Sequence, residues 1–170
     1  MVSVRPFEER DAQPLADLMM EMIHFYGATV DPTLVVAEDI VRQSEIVDII
    51  VAQGDDGLLG FATFTSLYPV AGLISFTYAQ QIYVGAKARR MGVAQRLMAG
   101  IARIAAARGS TRIEWSRRRR MQRLGRFMKV WARSAPIRCN MFSRVLPLIS
   151  SLPARIEGQR ADRDASVDPD

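Results

Sequence analysis

The sequence predicts an α+β domain in which helices flank a mixed β-sheet. Segments rich in β-forming residues alternate with segments of helical periodicity, in the order β-α-α-β-β-β-α-β. A strand-like run at residues 75–84 leads through a short basic loop with a glycine into a helix. The pattern ends after Ser116, so we divide the chain into a domain of residues 1–116 and an atypical basic tail of residues 117–170.

The first predicted elements are a strand over residues 2–6 and a helix that Asp11 caps and that runs to about Tyr26. Five apolar residues recur at helical spacing and form its predicted buried face: Leu15, Leu18, Met19, Met22 and Ile23.

A second helix and a β-hairpin follow. Pro32 and Thr33 introduce the helix, which ends near Gln43. The hairpin strands cover residues 47–52 and 58–67, around a turn of Gly and Asp residues that tolerate the backbone angles required.

The central strand covers about residues 75–84. A helix is predicted from Val93 to Arg108, just before Gly109, because apolar residues recur at helical spacing from Val93 onward. Residues 112–116 are the next predicted strand.

The loop before this helix has the features of an anion site. Arg89 and Arg90 bring two positive charges, and Gly92 has no Cβ, so its backbone can approach a ligand closely. The helix N-terminus directs N–H groups at the same spot, which suits a phosphate. The alternative is an ordinary strand–loop–helix connection with solvated arginines. The residues alone predict a phosphate-sized site.

The segment Arg89-Arg90-Met91-Gly92-Val93-Ala94 resembles the Arg/Gln-x-x-Gly-x-Gly/Ala signature of the GNAT family of N-acetyltransferases, and the resemblance covers most of residues 1–116. It implies an acyl-CoA N-acyltransferase-like fold with acetyl-CoA as the acyl donor. The central strand would contact the pantetheine, and the loop would hold the pyrophosphate. The cofactor-binding residues that the resemblance implies are Ile82, Tyr83, Val84, Arg89, Arg90, Met91, Gly92, Val93, Ala94 and Gln95.

By the same resemblance, the amine of a small molecule or peptide attacks the thioester directly. No catalytic base or acid can be identified, and each candidate also suits a structural role. The candidates are Glu114, Tyr83 and Glu21. His24, the sole histidine, reads as a helix-end residue, and the neutral Gln80 and Gln81 weigh against a polyamine-like acceptor. No metal site is predicted.

Composition predicts a cytoplasmic protein. The single cysteine, Cys139, excludes an internal disulfide and suits a reducing compartment. The first ten residues lack the apolar core of a signal peptide, and no run is apolar and long enough to span a membrane. The resembled family commonly forms dimers, so a homodimer is an open expectation.

Charge separates the tail from the domain. Residues 1–116 carry 10 basic and 13 acidic side chains, whereas residues 117–170 carry 13 basic and 5 acidic ones. The helix and last strand that the resembled family places here are not visible, and residues 159–170 are polar and predicted to be disordered. We therefore expect this part of the fold to be disrupted.

We hypothesise that a one-base deletion, or an equivalent shift of the reading frame, near codons 116–120 produced this tail. Reading the third base of each codon with the first two bases of the next permits Asn-Ala-Glu-Ala-x-Ala-x-Tyr-Glu-Ser-Leu-Gly-Ala, which resembles the missing acetyltransferase helix. The alternative is a genuine basic tail.

Two rival functions stay open. A genuine basic tail could bind nucleic acid or a protein partner, although nucleic acid is the less favoured partner because few aromatic residues accompany the arginines. The chain could also be an acyl-CoA-binding remnant without catalytic activity.

Overall fold

The computed structural model describes residues 1–28, 31, 37–70, 73–116 and 138–142. Its strands are β1 (Ser3–Pro6), β2 (Asp48–Gly54), β3 (Gly57–Val70), β4 (Ile74–Val84), β5 (Arg112–Ser116) and β6 (Arg138–Phe142). Its α-helices are α1 (Ala12–Phe25), α2 (Ala37–Gln43) and α3 (Val93–Ala107).

The described strands form one mixed sheet in which they follow each other in chain order, β1 to β6. The pairs from β1 to β4 are antiparallel, and β4, β5 and β6 pair in parallel. A parallel neighbour requires a crossover, and α3 provides it between β4 and β5. The predicted α+β class and mixed sheet are therefore confirmed.

Two apolar layers cover the two faces of the sheet. Helix α3 packs on one face, where Leu97, Met98 and Ile101 are completely buried against strand residues such as Phe64 and Ile113. Helices α1 and α2 pack on the opposite face. That layer contains Leu15, Ala16, Leu18, Ile40, Ile49, Val51, Phe61 and Tyr83.

An irregularity in the β3–β4 pair changes the face of the sheet on which the following side chains of β4 lie. Thr63 pairs with Gln81 and Phe64 pairs with Ala79, so Gln80 is an extra residue without a partner on β3. One extra residue reverses the alternation of side chains along the strand. Ala79 therefore packs in the α3 layer, whereas Tyr83, four residues later, packs in the α1 layer.

Asp11 is the N-cap residue of α1, as predicted, but its side chain makes no capping hydrogen bond to the helix. The Asp11 carboxylate accepts two hydrogen bonds from Arg5, of 2.6 and 2.8 Å, and one from the Glu8 N–H group at 2.9 Å. The buried face of α1 is also narrower than predicted. Leu15 and Leu18 are buried, whereas Met19, Met22 and Ile23 are half-buried.

The remaining bounds agree with the prediction to within a few residues, and the hairpin strands are longer than predicted. Strand β6 lies within the predicted tail, where no strand was predicted. The start of the second predicted helix, residues 32–36, and the tail residues 117–137 and 143–170 lie outside the described residues.

Candidate functional site

The loop between β4 and α3 turns twice through the left-handed backbone region. Arg90 has a φ of 67° and Gly92 a φ of 75°. The first bond of the helix runs from the Arg96 N–H group to the Gly92 carbonyl at 3.1 Å, so the N–H groups of residues 93–95 precede the helical ladder. Such alternation of backbone conformation and a helix N-terminus both create concave surfaces that bind anions.

The edge of β4 is open next to this loop. In the described residues β5 pairs with β4 only from Thr77 to Ala79. Ser116, the last residue of β5, pairs with β6 and not with β4. Within the part of the chain that the structure describes, the two parallel strands thus separate after Ala79, and residues 81–84 of β4 have a strand partner on the β3 side alone.

The backbone groups of Ile82 and Val84 are directed at this open edge. The Gly85 N–H group donates to the Leu59 carbonyl at 3.0 Å, which makes these two residues a hydrogen-bonded pair. Such pairs alternate along an antiparallel ladder, so Val84 and Ile82, opposite Gly60 and Ala62, direct their N–H and C=O groups away from β3. In agreement, the Val84 carbonyl accepts a hydrogen bond from Arg89 Nε at 3.4 Å.

A cavity of about 300 Å³ connects the open edge to the loop. It brings together nine of the ten residues that the sequence predicts to bind the cofactor: Ile82, Tyr83, Val84, Arg89, Arg90, Gly92, Val93, Ala94 and Gln95. Met91 is the exception, because it does not line the cavity and is 57% exposed.

Three other lining residues are not in the predicted cofactor-binding set, although the resemblance places Tyr26 where the family often builds the substrate wall. Ala88 lies in the loop, and Phe25 and Tyr26 lie at the end of α1. Phe25 is 55% exposed despite its aromatic ring, and its ring meets that of Tyr26 edge to face at 5.4 Å. Apart from that resemblance, two adjacent aromatic residues at a helix end are the only sequence signal that could have indicated this wall.

Two of the three catalytic candidates, Glu21 and Tyr83, contact each other beside the loop. The Tyr83 hydroxyl donates to Glu21 Oε1 at 3.0 Å, and the Ala86 N–H group donates to the same oxygen at 2.7 Å. Arg89 Nη2 donates to the Tyr83 hydroxyl oxygen at 3.3 Å. Burial, followed by the contact with Glu21, raises the pKa of Tyr83, so its hydroxyl stays protonated and keeps its donor role.

The third candidate, Glu114, lies on β5 opposite Tyr78, beside the point where β4 and β5 separate. Its carboxylate accepts a hydrogen bond from Arg112 Nε at 2.5 Å. The guanidinium of Arg112 also lies over the ring of Phe76, at 4.7 Å from its centre. Glu114 is therefore held in place on the sheet by a neighbouring cation.

The other polar residues that the sequence singled out are at the surface. Gln80 and Gln81 are exposed on β4. His24 is exposed in the last turn of α1, as expected of a helix-end histidine. Trp115 is 7% exposed and packs in the α3 layer.

The ranges described above contain no group of three His, Cys, Asp or Glu side chains that could hold a metal ion. Nor is any helix within those ranges long and apolar enough to cross a membrane.

A model of the acetyltransferase (GNAT) family matches residues 15–128 of the chain, which include the open strand edge and the loop. A search of curated proteins finds no match.

Many solved structures have a similar fold. A probable acetyltransferase has 21% sequence identity and a TM-score of 0.68, over 91% of this chain and 99% of that one. A ribosomal-protein-alanine N-acetyltransferase from Brucella melitensis biovar Abortus 2308 has 23% identity and a TM-score of 0.62, over 70% and 82% of the chains. An aminoglycoside acetyltransferase from an uncultured soil metagenomic sample, in complex with sisomicin, has 13% identity and a TM-score of 0.65, over 85% and 96%.

Proposed function

Because this chain belongs to the GNAT family of acetyltransferases, we propose that it transfers an acetyl group from acetyl-CoA to a primary amine. One observation carries the proposal. The open edge of β4, with the backbone groups of Ile82 and Val84 directed at it, leads directly to the N–H groups at the start of α3. A donor with an amide-containing arm and a pyrophosphate matches this sequence of sites.

In the proposed complex the pantetheine arm lies along β4 as an added strand, bonded to Ile82 and Val84. The pyrophosphate lies on the N–H groups of residues 92–95, beside the cations of Arg89 and Arg90. Charge and backbone dipole act together there, because the macrodipole of α3 places partial positive charge at the same N-terminus. We propose that Tyr83 and Met91 flank this donor without supplying its main polar contacts.

The chemistry is a direct displacement. The lone pair of the acceptor nitrogen attacks the thioester carbonyl carbon, and the carbon–sulfur bond breaks as the carbonyl re-forms. The nitrogen loses a proton and the leaving thiolate gains one, so the products are an amide and free CoA. The protein accelerates this step by holding the two reactants together in a fixed orientation.

Binding and turnover are tested separately. Calorimetry with acetyl-CoA should give saturable binding, and Arg89→Ala should weaken it by about tenfold or more, since hydrogen bonds to charged groups contribute about 1.5–3 kcal/mol. Arg103→Ala is the matched control, because Arg103 is exposed on α3 and does not line the cavity. Absence of binding, or equal losses in the two variants, would contradict the proposed donor site.

Turnover is measured as the release of the free thiol of CoA, with a panel of amines as acceptors. The panel should include a peptide with N-terminal alanine and an aminoglycoside, because similarly folded acetyltransferases carry those names. Release of thiol together with acetylation of one amine would support the enzyme. Saturable binding without turnover on any amine would instead favour the acyl-CoA-binding remnant.

The role of Glu114 can be tested with Glu114→Gln. We expect a small change in kcat, because Arg112 already engages the carboxylate and gives it a structural role. A general base contributes about 100-fold or more to the rate, so a fall of that size would instead identify Glu114 as the base.

We further propose a cytoplasmic location, which agrees with the single Cys139 of the sequence. Assembly as a homodimer is also part of the proposal, and light scattering of the purified protein checks it.

A further inference from the structure

A chain of contacts links the last turns of α1 to Arg89 in the loop. Glu21 Oε1 accepts hydrogen bonds from the Tyr83 hydroxyl and from the Ala86 N–H group. Tyr83 in turn accepts a hydrogen bond from Arg89. On its other side the Arg89 guanidinium lies over the ring of Phe25, 4.4 Å from its centre.

We propose that Glu21, Tyr83 and Phe25 form a clamp that positions the Arg89 guanidinium for the phosphates of the acyl donor. These three residues are positioning residues, and the last two turns of α1 thereby help to set donor affinity. The inference rests on the proposed function, because it requires a phosphate-bearing donor in the cavity.

The hydrogen bonds of the clamp have a fixed direction because the Tyr83 hydroxyl has only one proton to donate. Glu21 has no proton to give when ionised, so the hydroxyl hydrogen points at Glu21 and a lone pair is left for Arg89. Tyr83 is 4% exposed and packs in the α1 layer, which fixes the position of its hydroxyl.

A close approach between α1 and the loop makes these contacts possible. Gly85 lies between the end of β4 and Ala86, and a Cβ added to it would lie 3.2 Å from Leu18 Cδ2 and 3.5 Å from Glu21 Oε2. A Cβ there would require the Leu18 side chain to yield by a few tenths of an ångström, whereas its distance to Glu21 is an ordinary contact. Gly85 therefore suits the close packing of α1 on the loop, in which Glu21 accepts from the Ala86 N–H group.

Positioning matters because Arg89 is an exposed side chain whose Nε, apart from the contacts of the clamp, donates to the Val84 carbonyl at 3.4 Å. An arginine loses about 2 kcal/mol of rotamer entropy when a ligand fixes it, and a side chain held in advance loses less on binding. Stacking on Phe25 and the bond to Tyr83 hold the guanidinium at the wall of the cavity that also contains Arg90 and the N–H groups of the loop.

The first test uses two donors, of which one lacks the phosphates. Acetyl-CoA carries the phosphates and the adenosine, and acetyl-pantetheine carries the same thioester and arm without either. We expect Tyr83→Phe to raise the Kd for acetyl-CoA about fivefold, which is about 1 kcal/mol, and to leave the Kd for acetyl-pantetheine within about twofold. Tyr68→Phe is the matched control, because Tyr68 is 68% exposed on β3 and does not line the cavity.

A double-mutant cycle tests whether Tyr83 acts through Arg89. If it does, Tyr83→Phe should have no further effect on acetyl-CoA binding in an Arg89→Ala background. Glu21→Ala should weaken acetyl-CoA binding as Tyr83→Phe does. Glu21→Gln should stay near the wild-type value, because its amide oxygen can still accept from Tyr83 and Ala86. If the Tyr83→Phe protein does not fold, the comparison of Glu21→Ala with Glu21→Gln tests the clamp in its place.

Two results would overturn the clamp: equal weakening of both donors, which indicates a general structural role, or additive effects of the Tyr83 and Arg89 substitutions. A wild-type protein that binds neither donor would remove the proposed function, and the clamp with it. A wild type that binds acetyl-CoA while Tyr83→Phe and Glu21→Ala leave the affinity unchanged would remove the clamp alone.

Discussion

Replacing Gly60 with alanine should disturb both the fold and the donor site. Gly60 lies on β3 opposite Val84, and an added Cβ would lie 2.5 Å from the Tyr83 carbonyl oxygen and 3.2 Å from Val84 Cα. Ordinary contacts of a Cβ are 3.4 Å or longer, so the backbones of β3 and β4 would have to separate by about 0.9 Å at this point. Overpacking of this kind costs about 1–3 kcal/mol.

The loss of stability is measured by thermal unfolding, and the loss of donor affinity by calorimetry with acetyl-CoA. For a chain of this size, 1–3 kcal/mol corresponds to a fall in Tm of about 2–12 °C. Donor affinity should fall as well, because the displaced residues Tyr83 and Val84 line the cavity.

Gly54→Ala is the control for this prediction. Its three nearest neighbours would all be side-chain atoms of Leu59, at 2.9 to 3.2 Å, which can move without shifting the backbone of a neighbouring strand. If Gly60→Ala lowers Tm no more than Gly54→Ala does, the close approach of β3 and β4 does not constrain residue 60.

Three further predictions concern other parts of the chain. The hydrogen bonds from Arg5 lower the pKa of Asp11 in the folded state, so Asp11 stabilises the fold above its ordinary, unfolded-state pKa, and this stabilisation is lost as the pH falls through the lower folded value. The free energy of unfolding should therefore fall on acidification, and it should fall less in Asp11→Asn than in the wild type. Leu97→Ala, at a completely buried position of α3, should lower the free energy of unfolding in urea by about 2–5 kcal/mol; a loss below about 1 kcal/mol would show that the α3 layer is loosely packed. Replacing residues 117–170 by the translation of the shifted frame should raise kcat and leave the Kd for acetyl-CoA unchanged, because the proposed donor contacts lie within residues 82–95; an unchanged kcat would contradict the frame hypothesis as an account of activity.

The elements that were predicted well are those whose signals are local in sequence. The helix predicted from Val93 to Arg108 is observed as Val93–Ala107, because one stripe of apolar residues and a following glycine mark it. The cavity-lining residues of the loop were found for the same reason. They form one short segment in which cations, a glycine and a helix start follow each other.

The errors arose where a contact between separate elements overrides a local signal. Asp11 has the residue type and position of a helix cap, yet Arg5 on β1 binds its carboxylate. The extra residue at Gln80 has no signature of its own, since only the pairing with β3 reveals it. Without that irregularity, alternation along β4 places Tyr83 on the same face as Ala79, away from Glu21.

This difference between local and long-range signals bears on the site itself. The parts of the site that would touch the donor come from one continuous segment, so a short signature can identify them. The residues that position this segment are distant from it in sequence. Glu21 lies 62 residues before Tyr83 in the chain, and Gly60 lies on the neighbouring strand. A protein could therefore keep the signature and lose donor affinity through a change in α1 or β3. We expect substitutions at Glu21 or Gly60 to lower donor affinity even in a chain whose signature is intact.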